Sequence, residues 1–449
     1  MGYRRVRLTP PLVSNYSMAS WWLRRMLFAL ILLVPVELFE VPAIHNRLIK
    51  SLNLKLLRAT EDASKSPNPS VYVGLRLSKE HNLEKESQYL QRLKLAFQPS
   101  ASSIDMKTQT EASTGQLALY LLSLRASCED LETEEMRKLV TRLKHKLHEE
   151  KKHIVELNSP ITSYFQYSLG ILALCVNHKV VDAHVIQKLL HAEEQKKFSL
   201  EGEHSVDTAA MAGLAFQCLM RSGLYTSHLT EKLTKGFGNI RENILQSQRD
   251  DGAFGNIYST ALALQVLIAS KSTSDTECSK AVEILIESLK QGLFSNPMMM
   301  SQLTPVLHRK TYLDISTMDC RNEEDTLTLR SSSGISKTVI SPEEIRLQLR
   351  VEEVPGLIWG YTTELQAPTG SSLLEVLTAA QKRDPDHFSF ETEDTLYGPY
   401  LTTVNGLKSK QSERTYWKIL KEPDVSIIEG IADYRPQEGE TIILRLTKW

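Results

Sequence analysis

The chain has 449 residues, 41% of them hydrophobic, enough for two or three domains with substantial cores. Lysine plus arginine (53) balance aspartate plus glutamate (54), for a formal net charge of -1. No basic stripe with interleaved aromatics occurs, which argues against nucleic acid as the main partner, so affinity has to come from shape.

Arg24 and Arg25 precede an apolar run from Met26 to Val36. This run is too short to span a bilayer, which takes about 20 residues, and reads as a signal-peptide core. The expectation is a secreted, extracellular protein with its leader over 1–39. Met18 opens a conventional leader, so 1–17 read as an upstream extension. No other segment has the length and apolarity of a transmembrane helix, and no stable membrane insertion is expected.

Four segments share a texture of small and aliphatic residues: Gly115–Leu124, Tyr167–Leu174, Ala209–Phe216 and Thr260–Leu267. They recur at intervals of roughly 40 to 50 residues, the length of a helical hairpin with its loops. Each is apolar nearly all round and has to be buried on both sides. Intervening segments such as Met136–Lys144 are amphipathic. The pattern predicts a double-layered α/α barrel over 40–320, with the apolar helices as the inner ring. Polar residues at the inner-helix starts then converge on one end: Ser113, Gln116, Thr162, Gln166, His204, Asp207, Asn256 and Ser259. Any one of them is readily a helix cap, but eight around one rim suggest a binding site. His204 and Asp207 are three positions apart, which on a helix places an imidazole and a carboxylate on one face. Asp250–Asn256 is a turn-rich loop in which Gly252 and Gly255 let a ligand approach the main chain, and it lacks the phosphate-loop pattern.

After Cys320 the stretch 321–336 is polar, Ser-rich and without helical period, which predicts a linker over 321–343. Beyond it, Glu344–Val351 and Thr441–Leu446 alternate like strands and Ser372–Ala380 has helical period. The expectation for 344–449 is a small α+β, β-rich C-terminal domain. The five cysteines, Cys128, Cys175, Cys218, Cys278 and Cys320, include no C-x-x-C pair. In a secreted chain they point to disulfides rather than zinc, with at least one left over.

The stretches Pro69–Arg76, His204–Phe216, Phe254–Thr260, Ser301–Leu307, Gly398–Thr402 and Gly430–Pro436 together resemble, in order, the vertebrate cobalamin carriers, a family comprising transcobalamin, intrinsic factor and haptocorrin. The resemblance is strongest to the transcobalamin branch. It implies an α/α barrel joined by a linker to a β-rich domain, with cobalamin clamped between them, and a monomer that reaches cells through a cell-surface receptor. It implies His204 as a ligand to the cobalt from its upper face, for which a neutral imidazole is well suited. Gln116, Thr162, Gln166, Asp207, Asn256, Ser259 and Gln302 match the family's polar contacts. Leu396, Tyr397, Trp417, Lys418 and Ile419 match residues that cover the ligand, with the indole shielding it from water. The resemblance further implies the bridges Cys128 with Cys320 and Cys175 with Cys218. It would pair Cys278 with an N-terminal cysteine, but this chain has Phe39 near that place. No usable N-glycosylation sequon follows the leader, because Asn68 precedes Pro69.

The competing reading is an enzyme on a helical barrel, acting on a polysaccharide or a prenyl substrate. It needs an acid and base pair or a metal triad at the rim. Asp207 is the only carboxylate among the rim residues above and no nucleophile stands beside a base, so a carrier with no catalytic cofactor is the expectation.

Overall fold

The computed structural model describes residues 41–448 apart from 64, 99–111, 130–132, 201–202, 271–274, 330–343, 353–360, 396–397 and 411–412. The side chains of Leu200, Glu203, His204, Asp275 and Asp394 also fall outside the description. The expected leader, Leu396, Tyr397 and the second half of the expected linker therefore lie outside the described residues.

Among the described residues, twelve helices alternate between two layers. The outer set is α1 (Asn46–Ala59), α3 (Leu83–Phe97), α5 (Glu134–Leu157), α7 (Ala183–Glu194), α9 (Ser227–Gln246) and α11 (Asp275–Lys290). The inner set is α2 (Pro69–Arg76), α4 (Thr114–Ala126), α6 (Tyr164–Val176), α8 (Val206–Ser222), α10 (Ser259–Ser270) and α12 (Pro297–Leu307). Each inner helix packs on the next, and α12 returns to α2, which closes the ring. The inner helices are buried along nearly their whole circumference, as their uniform apolarity requires. On α5, by contrast, Met136, Leu139, Val140, Leu143, Leu147 and Ile154 form a single buried stripe. The α2–α12 contact depends on Gly74: a Cβ there would lie 2.7 Å from the Cα of Ser301.

Helix starts follow local chemistry. Asn68, Ser113, Ser163, Ser205 and Asn296 each accept a backbone N–H of the following first turn, and Pro69 and Pro297 occupy first helical positions where no N–H is needed. A 3-10 helix over Tyr312–Thr317 packs on α4, α6 and α8 and ties to the ring through Tyr312 N–H to Gln265 Oε1 (3.0 Å) and Arg125 to the Ser316 carbonyl (2.8 Å).

Near this end a buried ion network sits under a disulfide. Arg76 pairs with Glu86 at 2.9 Å and with Glu323 at 2.7 Å, and its Nε donates to the Ala126 carbonyl at 3.0 Å. The Cys128–Cys320 bridge lies against the same guanidinium, and Cys175–Cys218 joins α6 to α8. Cys278 is buried on α11 and takes part in neither bridge. The stretch after Cys320 departs from the expectation of a free linker. Leu83 N–H donates to Asp325, Asn82 to the Leu327 carbonyl, and Thr326 N–H to the His81 carbonyl, so 321–327 are pinned to the barrel.

The β-rich domain holds a five-stranded sheet in the order β4-β3-β10-β8-β9, built from β3 (Glu344–Glu352), β4 (Tyr361–Pro368), β8 (Thr415–Lys421), β9 (Val425–Ser426) and β10 (Thr441–Lys448). β10 runs parallel to β3 and antiparallel to β8. Helix α13 (Leu373–Arg383), opened by a Ser372/Glu375 capping box, contributes Leu373, Val376, Leu377 and Ala380 to the core against Leu347, Leu349, Ile442 and Leu444. A separate sheet of β5 (Phe390–Thr395), β6 (Gly398–Val404) and β7 (Leu407–Lys408) adds Leu401 and Val404. The α/α barrel followed by a small α+β domain is the fold expected from the sequence. Among the described residues no helix is long and apolar enough to cross a membrane.

Candidate functional site at the barrel rim

The N-terminal ends of the inner helices form a polar rim whose geometry follows from how each helix is capped. At α4, Ser113 N–H donates to Gln116 Oε1 (2.8 Å) while Gln116 N–H donates to Ser113 Oγ (3.3 Å), a reciprocal capping box. At α6, Gln166 Oε1 accepts the N–H of Gly115 across the helix gap (3.0 Å), locking the two starts together. Beneath them lies Glu150 of α5, only 1% exposed, which accepts Thr114 Oγ1–H (2.9 Å), Thr162 Oγ1–H (2.6 Å) and Thr162 N–H (3.1 Å). Three bonds satisfy a carboxylate whose burial would otherwise cost several kcal/mol, on the order of 3–5.

At α10, Asn256 Oδ1 accepts from Tyr258 N–H and Ser259 N–H, both at 2.9 Å. Gly255 is needed just before it: its φ is +68°, and a Cβ would lie 2.7 Å from Val206 Cγ2 at the start of α8. That close approach brings the Asn256 loop beside Asp207. Asp207 lies in the first turn of α8 with no hydrogen-bond partner described for its carboxyl. The residue keeps some exposure at the rim, yet the protein packed around the carboxyl strips it of water and pushes its pKa up to about 6. His204 precedes this helix in a two-residue strand, β2 (Glu203–His204), paired with β1 (Ser199–Leu200). Its backbone is thus held two residues before α8, while its side chain lies outside the described atoms.

The small domain meets this same end. Tyr258 Oη–H donates to Glu429 Oε1 (3.1 Å), and Asn296, the cap of α12, donates from Nδ2 to Asp433 Oδ2 (2.8 Å). Burial raises the Asp433 carboxyl above the usual range, and the Asn296 bond offsets part of that. A polar cleft of about 520 Å³ lies elsewhere, lined by Ser78, Lys79, Lys310, Asp314 and Glu323 among others. There Glu323 is bound to Arg76 and Lys310 to the Ser78 carbonyl. The rim, where the small domain meets the barrel, is the better candidate site.

Several residues sit differently from their expected roles. Ser259 Oγ–H lies within reach of the Phe254 carbonyl (2.6 Å) and the Asn256 carbonyl (3.0 Å), and the side chain is buried, so it holds the loop rather than facing a ligand. The Thr162 hydroxyl is committed to Glu150. Trp417, expected to cover the ligand, is 3% exposed in the small-domain core with its Nε1–H on the Leu407 carbonyl (3.1 Å), which leaves little of its ring open to a ligand. Ile419 is half-buried against that core and Lys418, its neighbour on β8, is half-buried too. Gln302 is largely buried within α12 with no hydrogen bond described for its amide. Sequence reasoning missed Glu150, Tyr258, Asn296, Glu429 and Asp433. Glu150 left a signal: it falls on the apolar stripe of α5, between Leu147 and Ile154, where a carboxylate demands partners. Asn296 left another, as an Asn directly before a proline that opens a helix.

Comparison with known proteins bears on this geometry. Residues 22–340 match the family described as eukaryotic cobalamin-binding protein, and residues 370–448 match a domain of unknown function. Transcobalamin-2 of Rattus norvegicus is 43% identical over 421 residues, covering 92% of this chain and 96% of its own length. Transcobalamin-2 of Homo sapiens is 41% identical over 424 residues, with 92% and 96% covered. The crystal structure of haptocorrin in complex with Cbi superposes with a TM-score of 0.74 at 26% identity, covering 92% of this chain and 100% of that one.

Proposed function

The chain belongs to the family of eukaryotic cobalamin-binding proteins, and on that premise we propose that it is a secreted carrier that holds one cobalamin between the barrel rim and the small domain and delivers it to cells through a surface receptor. The observation that carries the reading is a pairing. A polar rim contains Asp207, desolvated and with no described partner, and a small domain is bonded to that same rim through Tyr258–Glu429 and Asn296–Asp433. A flat, amide-fringed ligand suits such a site, since rim amides and a carboxyl can meet its side chains while two domains cover its faces. In this reading Gln116, Gln166, Asp207, Asn256 and Gln302 contact the ligand's polar fringe. Leu396, Tyr397, Lys418 and Ile419 approach from the small domain, and His204 supplies the imidazole to the cobalt. The enzyme alternative gains no support from the described rim residues: the threonine hydroxyls that bond a carboxylate there, those of Thr114 and Thr162, serve to hold the buried Glu150 at the helix starts.

The test is an optical titration of the purified full chain with aquocobalamin. A one-to-one endpoint, a shifted corrin spectrum and co-elution on gel filtration as a monomer are expected. A chain that leaves the corrin spectrum unchanged and elutes without it would overturn the carrier reading.

A further inference from the structure

A groove on the outer wall of the barrel lies away from the rim. The inner helices start at the rim, so α6 ends at the opposite end of the barrel, where the loop 177–182 leads into α7. There a groove of about 390 Å³ opens between α5 and α7. Its floor is aliphatic: Leu147 of α5, Leu174 of α6, Val180 and Val181 of the loop, and Val185 of α7. Four of these are buried, whereas Val180 is 56% exposed. The loop is pinned rather than slack. Lys179 N–H donates to the Leu174 carbonyl (2.9 Å), Val181 N–H to Tyr225 Oη (3.0 Å), and Tyr167 Oη–H to the Val185 carbonyl (2.9 Å). The groove is therefore formed before anything fills it, which spares a ligand the cost of ordering it.

The charges beside this floor are one-sided. Lys144 and His148, a helical turn apart on α5, line the groove, and neither has a hydrogen bond or ion pair among the described residues. From Met136 to His148, α5 carries five lysines and arginines and no acid. The one carboxylate in the lining, Asp182, is engaged as the cap of α7: it accepts His184 N–H (2.7 Å) and Val185 N–H (3.3 Å), with Lys151 close by. We propose that this groove binds an unbranched fatty carboxylate, with its alkyl chain on the aliphatic floor and its carboxylate on the Lys144 ammonium, where the His148 imidazole donates a second hydrogen bond. The lining holds no phenyl, phenol or indole ring, so a flat aromatic ligand finds no stacking partner and an alkyl chain fits better. A membrane surface fits less well, because the apolar stripe of α5 is already packed into the barrel and is not free to enter lipid. The inference is independent of the carrier reading, since none of these residues stands at the rim.

The test is a calorimetric titration of the full chain with laurate below its micellar concentration, alongside the variants Lys144→Glu and Val180→Glu. Both side chains are exposed, so neither substitution disturbs the barrel core. Saturable one-to-one binding is expected, and each methylene added between octanoate and laurate should tighten it roughly fourfold, from about 0.8 kcal/mol per buried CH2. Each variant should weaken laurate binding roughly tenfold or more while the thermal midpoint of the ligand-free protein is unchanged. Dodecyltrimethylammonium, the same chain length with the opposite charge, should bind roughly tenfold more weakly than laurate. Laurate binding that never saturates, an affinity within about twofold of wild type in both variants, or equal affinity for the cationic amphiphile would overturn the proposal. So would binding to anionic vesicles that both variants lose and that laurate does not displace, because the face would then recognise a membrane surface.

Discussion

Replacing Asp207 with asparagine should make the ligand-free protein more stable at neutral pH and a poorer binder. The carboxyl has no described hydrogen-bond partner, and burial moves its pKa from 3.8 to about 6. A shift of about two units, at about 1.4 kcal/mol each, corresponds to roughly 3 kcal/mol against the ionised form as an upper figure. Between about pH 4 and pH 6 the native state binds more protons at this site than the unfolded chain does. Stability from this group therefore falls as pH rises through that window and is flat above it. An asparagine side chain cannot ionise, so the Asp207→Asn variant gains most at pH 8 and the gap closes toward pH 4. For a barrel of this size the gain at pH 8 is expected to appear as roughly 5 °C in the thermal midpoint. Paired thermal scans of ligand-free wild type and variant at both pH values measure it. A variant no more stable than wild type at pH 8, or a gap that persists unchanged at pH 4, would refute the burial argument. The corresponding cost is affinity: a neutral acceptor replaces a charged one, and cobalamin binding should weaken roughly tenfold.

His204→Ala should leave cobalamin bound through the polar fringe but shift the spectrum of the aquocobalamin complex toward the free aquo form. An identical spectrum for wild type and variant at neutral pH would return His204 to a purely structural position before α8. Arg76→Ala should destabilise the barrel by about 3–5 kcal/mol, since Glu86, at 2% exposure, would keep a buried charge without its guanidinium; urea denaturation of the intact chain reads this directly. The double variant Tyr258→Phe with Asn296→Ala should release cobalamin roughly tenfold faster in a stopped-flow chase, because the two bonds described between the rim and the small domain are lost. An unaltered rate would mean that the ligand alone holds the domains together. Replacing Cys128 and Cys320 with serine opens a loop of 192 residues and should cost about 4–5 kcal/mol at most, measured as a lowered denaturation midpoint.

Much of the architecture was legible in the chain because it rests on local periodicity. Helices such as Tyr164–Val176, apolar all round, can exist in water-soluble form only when enclosed, and the amphipathic Glu134–Leu157 can only lie outside them. Alternation in Glu344–Glu352 marked a strand, and polar residues at helix starts marked a common rim. Sequence could also propose which residues stand at that rim, since capping is a matter of neighbours.

What each rim residue does with its polar atoms was decided only by the tertiary structure. Hydrogen-bond direction depends on partners far apart in sequence: Gln166 finds the N–H of Gly115 across 51 residues, and Thr114 finds Glu150 across 36. Trp417 looked like a ligand cover, yet β8 lies beside the central β10, where its ring completes the small-domain core. Asp433 and Glu429 were ordinary surface carboxylates until the fold brought them against Asn296 and Tyr258. Periodicity records which face of an element avoids water, and that much is local. The identity of the group waiting on the other side is a property of the closed ring, and no stretch of sequence contains it.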